Sequence, residues 1–186
     1  MDDMDRQRAI QLLDQWVTKD FTRKHLLATE AAMRTYAVRF GGNPDQWGLA
    51  GLLHDADWDT FPDEHPARVV AWLRDADQNE IAQAVASHGN NSPQFGERFI
   101  PRTTLLDHAL FACDEVTGFI MAVAMVRPTR LEGLAPSSVK KKLKDKSFAA
   151  QVNRDDIIQG ASELGVELDA HLQLVIEAMQ QANLQV

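Results

Sequence analysis

The 186-residue chain contains one cysteine, Cys113, which can form no internal disulfide. It sits in an apolar stretch, as expected of a thiol kept in a reducing compartment. Long apolar runs are also missing, since none approaches the roughly 20 residues needed to span a bilayer. The opening Met1-Asp2-Asp3-Met4-Asp5 is acidic and lacks the basic-then-apolar order of a signal peptide. A cytoplasmic protein without a membrane role is expected. Positive charge is in short supply: 19 Lys and Arg against 27 Asp and Glu give a net charge of −8. Such a surface repels long nucleic acid, so duplex binding is not expected. Alternating strand patterns and internal repeats are absent. So are a Walker loop, a G-x-S-x-G elbow and a Cys-His pair that could act as nucleophile and base.

What is present centres on Leu52-Leu53-His54-Asp55-Ala56-Asp57-Trp58-Asp59. The adjacent His54-Asp55 puts a neutral nitrogen donor and an anionic oxygen donor at one point of the backbone. That pairing suits a borderline divalent metal better than Mg²⁺ or Ca²⁺, which prefer oxygen shells. The same pair also occurs as an ordinary helix-end hydrogen bond. Its context adds weight: His25 lies upstream, and His65, His88 and Asp114 follow.

The order His25, His54-Asp55, His65, His88, Asp114 resembles the HD superfamily of metal-dependent phosphohydrolases, whose minimal signature is H…HD…D. The segment His65-Pro66-Ala67-Arg68-Val69-Val70-Ala71-Trp72-Leu73 resembles the third-histidine helix of the two-metal subset. Ser87-His88 resembles its fourth-histidine position. The similarity runs from about Arg23 to Thr117. Two departures stand out. His54-Asp55-Ala56-Asp57 lacks the lysine of the common HD-I-G-K version, and Gly89-Asn90-Asn91-Ser92-Pro93 replaces the Gly-Tyr-Pro motif of the cyclic-dinucleotide branch. The second departure argues against a cyclic dinucleotide as substrate.

Periodicity predicts an all-α, single-domain bundle of about eight or nine helices over residues 1–186. The motif-bearing core covers about 20–127, with C-terminal helices over 136–183 packed on it. Helices are expected over Arg6–Thr18, Thr22–Phe40 with His25 in its first turn, and from Pro44 to His54-Asp55. Further helices are expected from Pro66 to about Arg74, over Gln78–Ser87, and over Thr103–Val126 with Asp114 at its middle. Pro136–Asp145, Arg154–Leu164 and Leu168–Ala182 complete the set. Ala56–Glu64 reads as an acidic, aromatic loop. Asn90–Arg102 reads as the longest loop, a lid or rim.

An ionised Asp114 in an apolar helix is costly unless it is paired or binds a metal. Alone it reads better as a solvent-facing or ion-paired carboxylate. Beside His25 and His54-Asp55 the balance reverses, because one ligand group explains four residues. Two His and two Asp would leave positions open for water and substrate, as catalytic sites require. His65 alone reads equally well as a turn residue before Pro66, and His88 as a helix C-terminal cation. Together they would complete a second site with Asp55 bridging two ions, and the resemblance at His65 favours that arrangement. The expected ligands are therefore His25, His54, Asp55, His65, His88 and Asp114. They would hold two divalent transition ions from among Mn, Fe, Zn, Co and Ni.

His108 falls about 240° from Asp114 around their helix, and Cys113 about 100°. Both point elsewhere, and His171 sits in an ordinary amphipathic pattern. Asp55 and Asp57 are the expected catalytic carboxylates, with Asp59 a further second-shell or general-acid candidate. Arg23, Lys24, Arg68 and Arg127 are candidate phosphate clamps. The run Lys140–Lys146 reads as a solvated face, and is the one local patch able to attract a nucleotide or RNA end. The expected activity is metal-dependent hydrolysis of a small phosphate ester, a nucleotide or phosphodiester. The alternatives are a di-iron oxygenase on the same ligands and an idle nucleotide-binding regulatory domain.

Overall fold

The computed structural model describes residues 5–91 and 96–184. Nine helices run through them without a β-strand: α1 (Arg6–Trp16), α2 (Asp20–Phe40), α3 (Pro44–Leu53), α4 (Ala67–Asp75), α5 (Asn79–Ala86), α6 (Leu105–Met125), α7 (Pro136–Leu143), α8 (Arg154–Glu163) and α9 (Leu168–Gln181). The all-α expectation holds. Ser92–Phe95, the middle of the expected lid or rim loop, lies outside the described residues.

Local chemistry sets most boundaries. Asn43 caps α3 by accepting from the Asp45 and Gln46 amides, and Pro44 fills the first helical position. Thr104 and Asp107 form a reciprocal capping box at the start of α6. Gly41 closes α2 in the left-handed region at φ 72°, where a Cβ would be strained.

Most boundaries shift by a residue or two from the sequence expectation, and the start of α2 is the one that bears on the site. Helix α2 begins at Asp20, which moves His25 from the first turn into the second. Lys19, at the cap position, supplies no side-chain cap. Asp59 supplies it from 40 residues away. Its Oδ2 accepts from the Thr18 and Lys19 amides at 3.0 and 2.8 Å, and its Oδ1 from the Thr22 hydroxyl at 2.9 Å. A cap is worth about 1 kcal/mol. Here it also ties the loop after His54-Asp55 to the helix that carries His25.

The core is built on α2, α3 and α6. Helix α3 presses so closely on α2 that a Cβ at Gly51 would stand 2.8 Å from the Thr29 carbonyl oxygen. This approach brings the end of α3 beside His25. Helix α6 meets α2 through Thr29 and Thr117, whose hydroxyls are 2.9 Å apart. Tyr36, Leu26, Met33, Leu53, Leu110, Phe119 and Ile120 are fully buried around these contacts. Helices α8 and α9 pack onto this core. Gly160 of α8 lies against Ala112 of α6, and His171 of α9 links Tyr36 to the Ala112 carbonyl.

Contrary to the expectation that no apolar run approaches a bilayer's span, α6 is long and apolar enough to cross one by length and composition alone. In the fold, 67% of that apolar window is buried, so most of its apolarity serves the core.

Candidate metal centre

His25 on α2, His54 and Asp55 just after α3, and Asp114 mid-α6 converge where these three helices meet. The His25 and His54 Nε2 atoms are 3.1 Å apart, and Asp114 Oδ1 lies 3.1 and 3.2 Å from them. A second group adjoins the first. Asp55 Oδ1 is 3.4 Å from His65 Nε2 and 3.4 Å from His88 Nε2, while Asp55 Oδ2 faces His54 Nε2 at 3.8 Å. Each group's donor atoms lie within 4.8 Å of one another, and Asp55 belongs to both.

All four rings turn the same nitrogen inward. His54 Nδ1–H donates to the Gly51 carbonyl at 2.8 Å, and His88 Nδ1–H to the Val85 carbonyl at 2.5 Å. His65 Nδ1–H donates to Asp57 Oδ1 at 2.7 Å. Thr117 donates its hydroxyl hydrogen to the Asp114 carbonyl, which leaves its oxygen to accept from His25 Nδ1–H at 3.3 Å. Each bond fixes the tautomer that places a lone pair on Nε2, as metal-ligating histidines require. Two Nε2 lone pairs 3.1 Å apart repel unless a cation stands between them, either a proton or a metal. The imidazole and carboxylate donors fit a divalent transition ion.

Charges at the centre are coupled to match. Burial disfavours a charged His54, but the carboxylates of Asp55 and Asp114 outweigh it and push the imidazole up to about 9. Burial would raise both carboxyls; the facing histidines instead hold Asp55 and Asp114 below the usual carboxylate range. The site is closed on most sides. His54 is fully buried and His65 and His88 nearly so, whereas the Asp55 and Asp114 side chains keep 21% and 19% of their exposure. The carboxylate edge therefore faces outward. Trp58 and Phe99 stand edge-on to His65, and Phe99 to His88, forming an aromatic rim beside the second group.

Several expected residues lie elsewhere. Asp57, expected to be catalytic, is fully buried, with one oxygen on His65 Nδ1 and the other on the Val69 amide at 3.0 Å. Both of its oxygens are taken up by these bonds. Asp59, the second candidate in that loop, is the α2 cap described above.

The four candidate clamps are not placed at the centre. Arg23 and Lys24 point away from His25 around α2 and pair with Asp14 and Asp20 at 2.7 and 2.8 Å. They line a separate cleft of about 530 Å³, with Arg6, Glu30 and Arg34 beside them and none of the six cluster residues in its wall. Arg68 pairs with Glu64 and lies over the Phe61 ring. Arg127 donates to the Arg130 and Glu132 carbonyls and staples the turn after α6. In the Lys140–Lys146 run, Lys140 pairs with Asp169 and Lys142 lies over Phe148.

The bystanders behave as expected. His108 pairs with Glu163 at 3.0 Å, Cys113 is buried in the core, and His171 is fully buried between Tyr36 and α6. Sequence reasoning missed Thr117, whose only sequence cue is its place one turn after Asp114. It also missed Glu115, which burial and the neighbouring Asp114 and Asp156 push up to about 8.

This all-α bundle gathers at one helix junction four histidines and two aspartates that could hold a metal. The chain belongs to the HD domain family, whose sequence profile matches residues 22–117. That span includes all six cluster residues. No curated protein and no solved structure matches the chain.

Proposed function

We propose that the protein is a metal-dependent phosphohydrolase acting on a small phosphate ester, a nucleotide or phosphodiester, with two divalent ions at the His-Asp centre. The HD family consists mostly of metal-dependent phosphohydrolases, which favours this class. One observation carries the two-ion reading: Asp55 directs one oxygen at His54 and the other at the His65–His88 pair. A carboxylate so placed would let both groups share Asp55 as a ligand.

Under this reading His25, His54, Asp55 and Asp114 hold one ion, and Asp55, His65 and His88 the other. Bound ions would supply Lewis acidity that activates water near neutral pH and offsets phosphoryl charge. The chain's own residues do the rest. The Gly51 and Val85 carbonyls, Asp57 and Thr117 lock the four imidazoles, so the donors need little rearrangement on loading. Asp55 and Asp114 mark the open edge where a phosphate would approach. Phe99 and Trp58 limit water at the side of the second group. A cytoplasmic location accords with the buried free thiol of Cys113.

The test is metal analysis of freshly purified protein followed by a phosphate-release screen over nucleotides and phosphodiesters. Bound transition metal with turnover supports the proposal. Tightly bound iron with O₂ uptake and no phosphate release would transfer the same six donors to a di-iron oxygenase. Ligand binding without turnover would make the protein a regulatory domain.

A further inference from the structure

Helix α8 lies beyond residue 117, outside the span matched by the family profile, yet its side chains bond the side chains of Arg102 and Asn90 beside His88. The link is Arg102. Its Nη1 donates to the carbonyls of Ser87 and Gly89, on either side of His88, at 3.2 Å each. Its Nη2 donates to Asn90 Oδ1 at 3.0 Å. The other edge of the guanidinium forms a two-point pair with Glu163 of α8, Nε to Oε2 at 2.8 Å and Nη2 to Oε1 at 3.1 Å. The plane lies 3.7 Å over the buried Phe111 ring.

This arginine is held from three directions, and its side chain keeps only 11% of its exposure. A second contact runs in parallel: Asn90 Nδ2 donates to Asp156 Oδ1 at 2.9 Å and Gln159 Oε1 at 3.2 Å, both on α8. His88 follows the end of α5, where helical hydrogen bonds no longer fix the chain. Its ring direction depends on where Ser87 and Gly89 are pinned. Arg102 makes five such bonds through a rigid planar fork, and a three-donor ammonium cannot make them all.

We propose that Arg102, held by Glu163, is a positioning residue that fixes His88 for the second ion, so that α8 sets that ion's affinity. This rests on the two-ion reading above. Arg102 touches neither ion nor substrate; it acts through the backbone of His88. A purely structural staple would lower stability without discriminating between the two ion positions.

The experiment is calorimetric titration of Mn²⁺ into metal-stripped wild type, Arg102→Met, Arg102→Lys, Glu163→Gln and Arg127→Met. Wild type should take two ions. In Arg102→Met one ion should bind as before and the other on the order of 10–100-fold more weakly, the usual cost of removing second-shell support. Arg102→Lys and Glu163→Gln should weaken the same ion by smaller factors. Arg127→Met, which removes an arginine stapling a turn away from His88, should leave both unchanged. If Arg102→Met does not fold, Glu163→Gln decides. Parallel weakening of both ions, or no change in either, would overturn the proposal while leaving a two-ion wild type standing. A wild type that takes one ion would overturn both.

Discussion

His25 and His54 face each other with Nε2 atoms 3.1 Å apart, each ring anchored from behind through Nδ1. Such a pair is stable only with a cation between the nitrogens. In the metal-free protein His54 carries a proton for this purpose, and a bound ion would replace it.

Removing a donor should therefore remove the metal. His54→Ala or Asp114→Ala should abolish tight binding at the first position, with activity falling by orders of magnitude. His108→Ala should leave the first ion in place, since His108 pairs with Glu163 and touches none of His25, His54 and Asp114. Elemental analysis of the three variants checks this; loss of metal from His108→Ala with retention in His54→Ala would reverse the ligand assignment.

Asp57 supports His65 without touching the ion. Asp57→Asn keeps the shape but loses the charged acceptor on His65 Nδ1, so the second ion should bind about 10–100-fold more weakly. The first should be unaffected. Competition with a chelator reads the two affinities separately, and equal losses at both positions would contradict the positioning role.

Metal uptake should depend on pH through His54. Its imidazole is raised to about 9 in the metal-free protein, so below that pH an incoming ion must displace a proton. Apparent affinity should rise about tenfold per pH unit from pH 7 towards 9 and then level off, with close to one proton released per first ion at pH 7. Titration in buffers of different ionisation heat measures the proton; none released at pH 7 would count against a protonated His54.

How far the site was legible in the sequence differs from residue to residue. His54-Asp55, His25 and Asp114 could be read because residue type, order and helical placement coincide. His65 and His88 needed the family resemblance, since each alone fits a turn or a helix end. The supporting contacts were not legible. Asp57 and Asp59 look like an exposed acidic loop, and only the packing of that loop against α2 and α4 reveals one as the His65 partner and the other as a helix cap. The clamp candidates lie elsewhere for a related reason: closeness in sequence to a ligand says little about direction on a helix, where Arg23 and Lys24 turn away from His25. The fold was plainer, because nine amphipathic or apolar stretches leave little choice but an α bundle.

His171 makes an independent prediction about stability. Burial holds its imidazole down to about 4, while in the unfolded chain it titrates near 6.5. The folded state thus stays neutral while the unfolded state gains a proton. The stabilising contribution is complete above about pH 6.5 and is lost as pH falls towards 4, by on the order of 3 kcal/mol. His171→Gln should be less stable at neutral pH, through the altered Tyr36 and Ala112 contacts, but should show a flatter stability profile between pH 6.5 and 4. Urea unfolding at several pH values separates slope from height, and identical slopes in the two proteins would contradict the account.

The central claim is that Asp55 joins two ion positions. Counting the ions bound by stripped wild type and by the His65→Ala/His88→Ala double variant tests it most directly. The account predicts two ions per wild-type chain and one per variant chain, the survivor held by His25, His54, Asp55 and Asp114. Two ions still bound tightly by the double variant would contradict it.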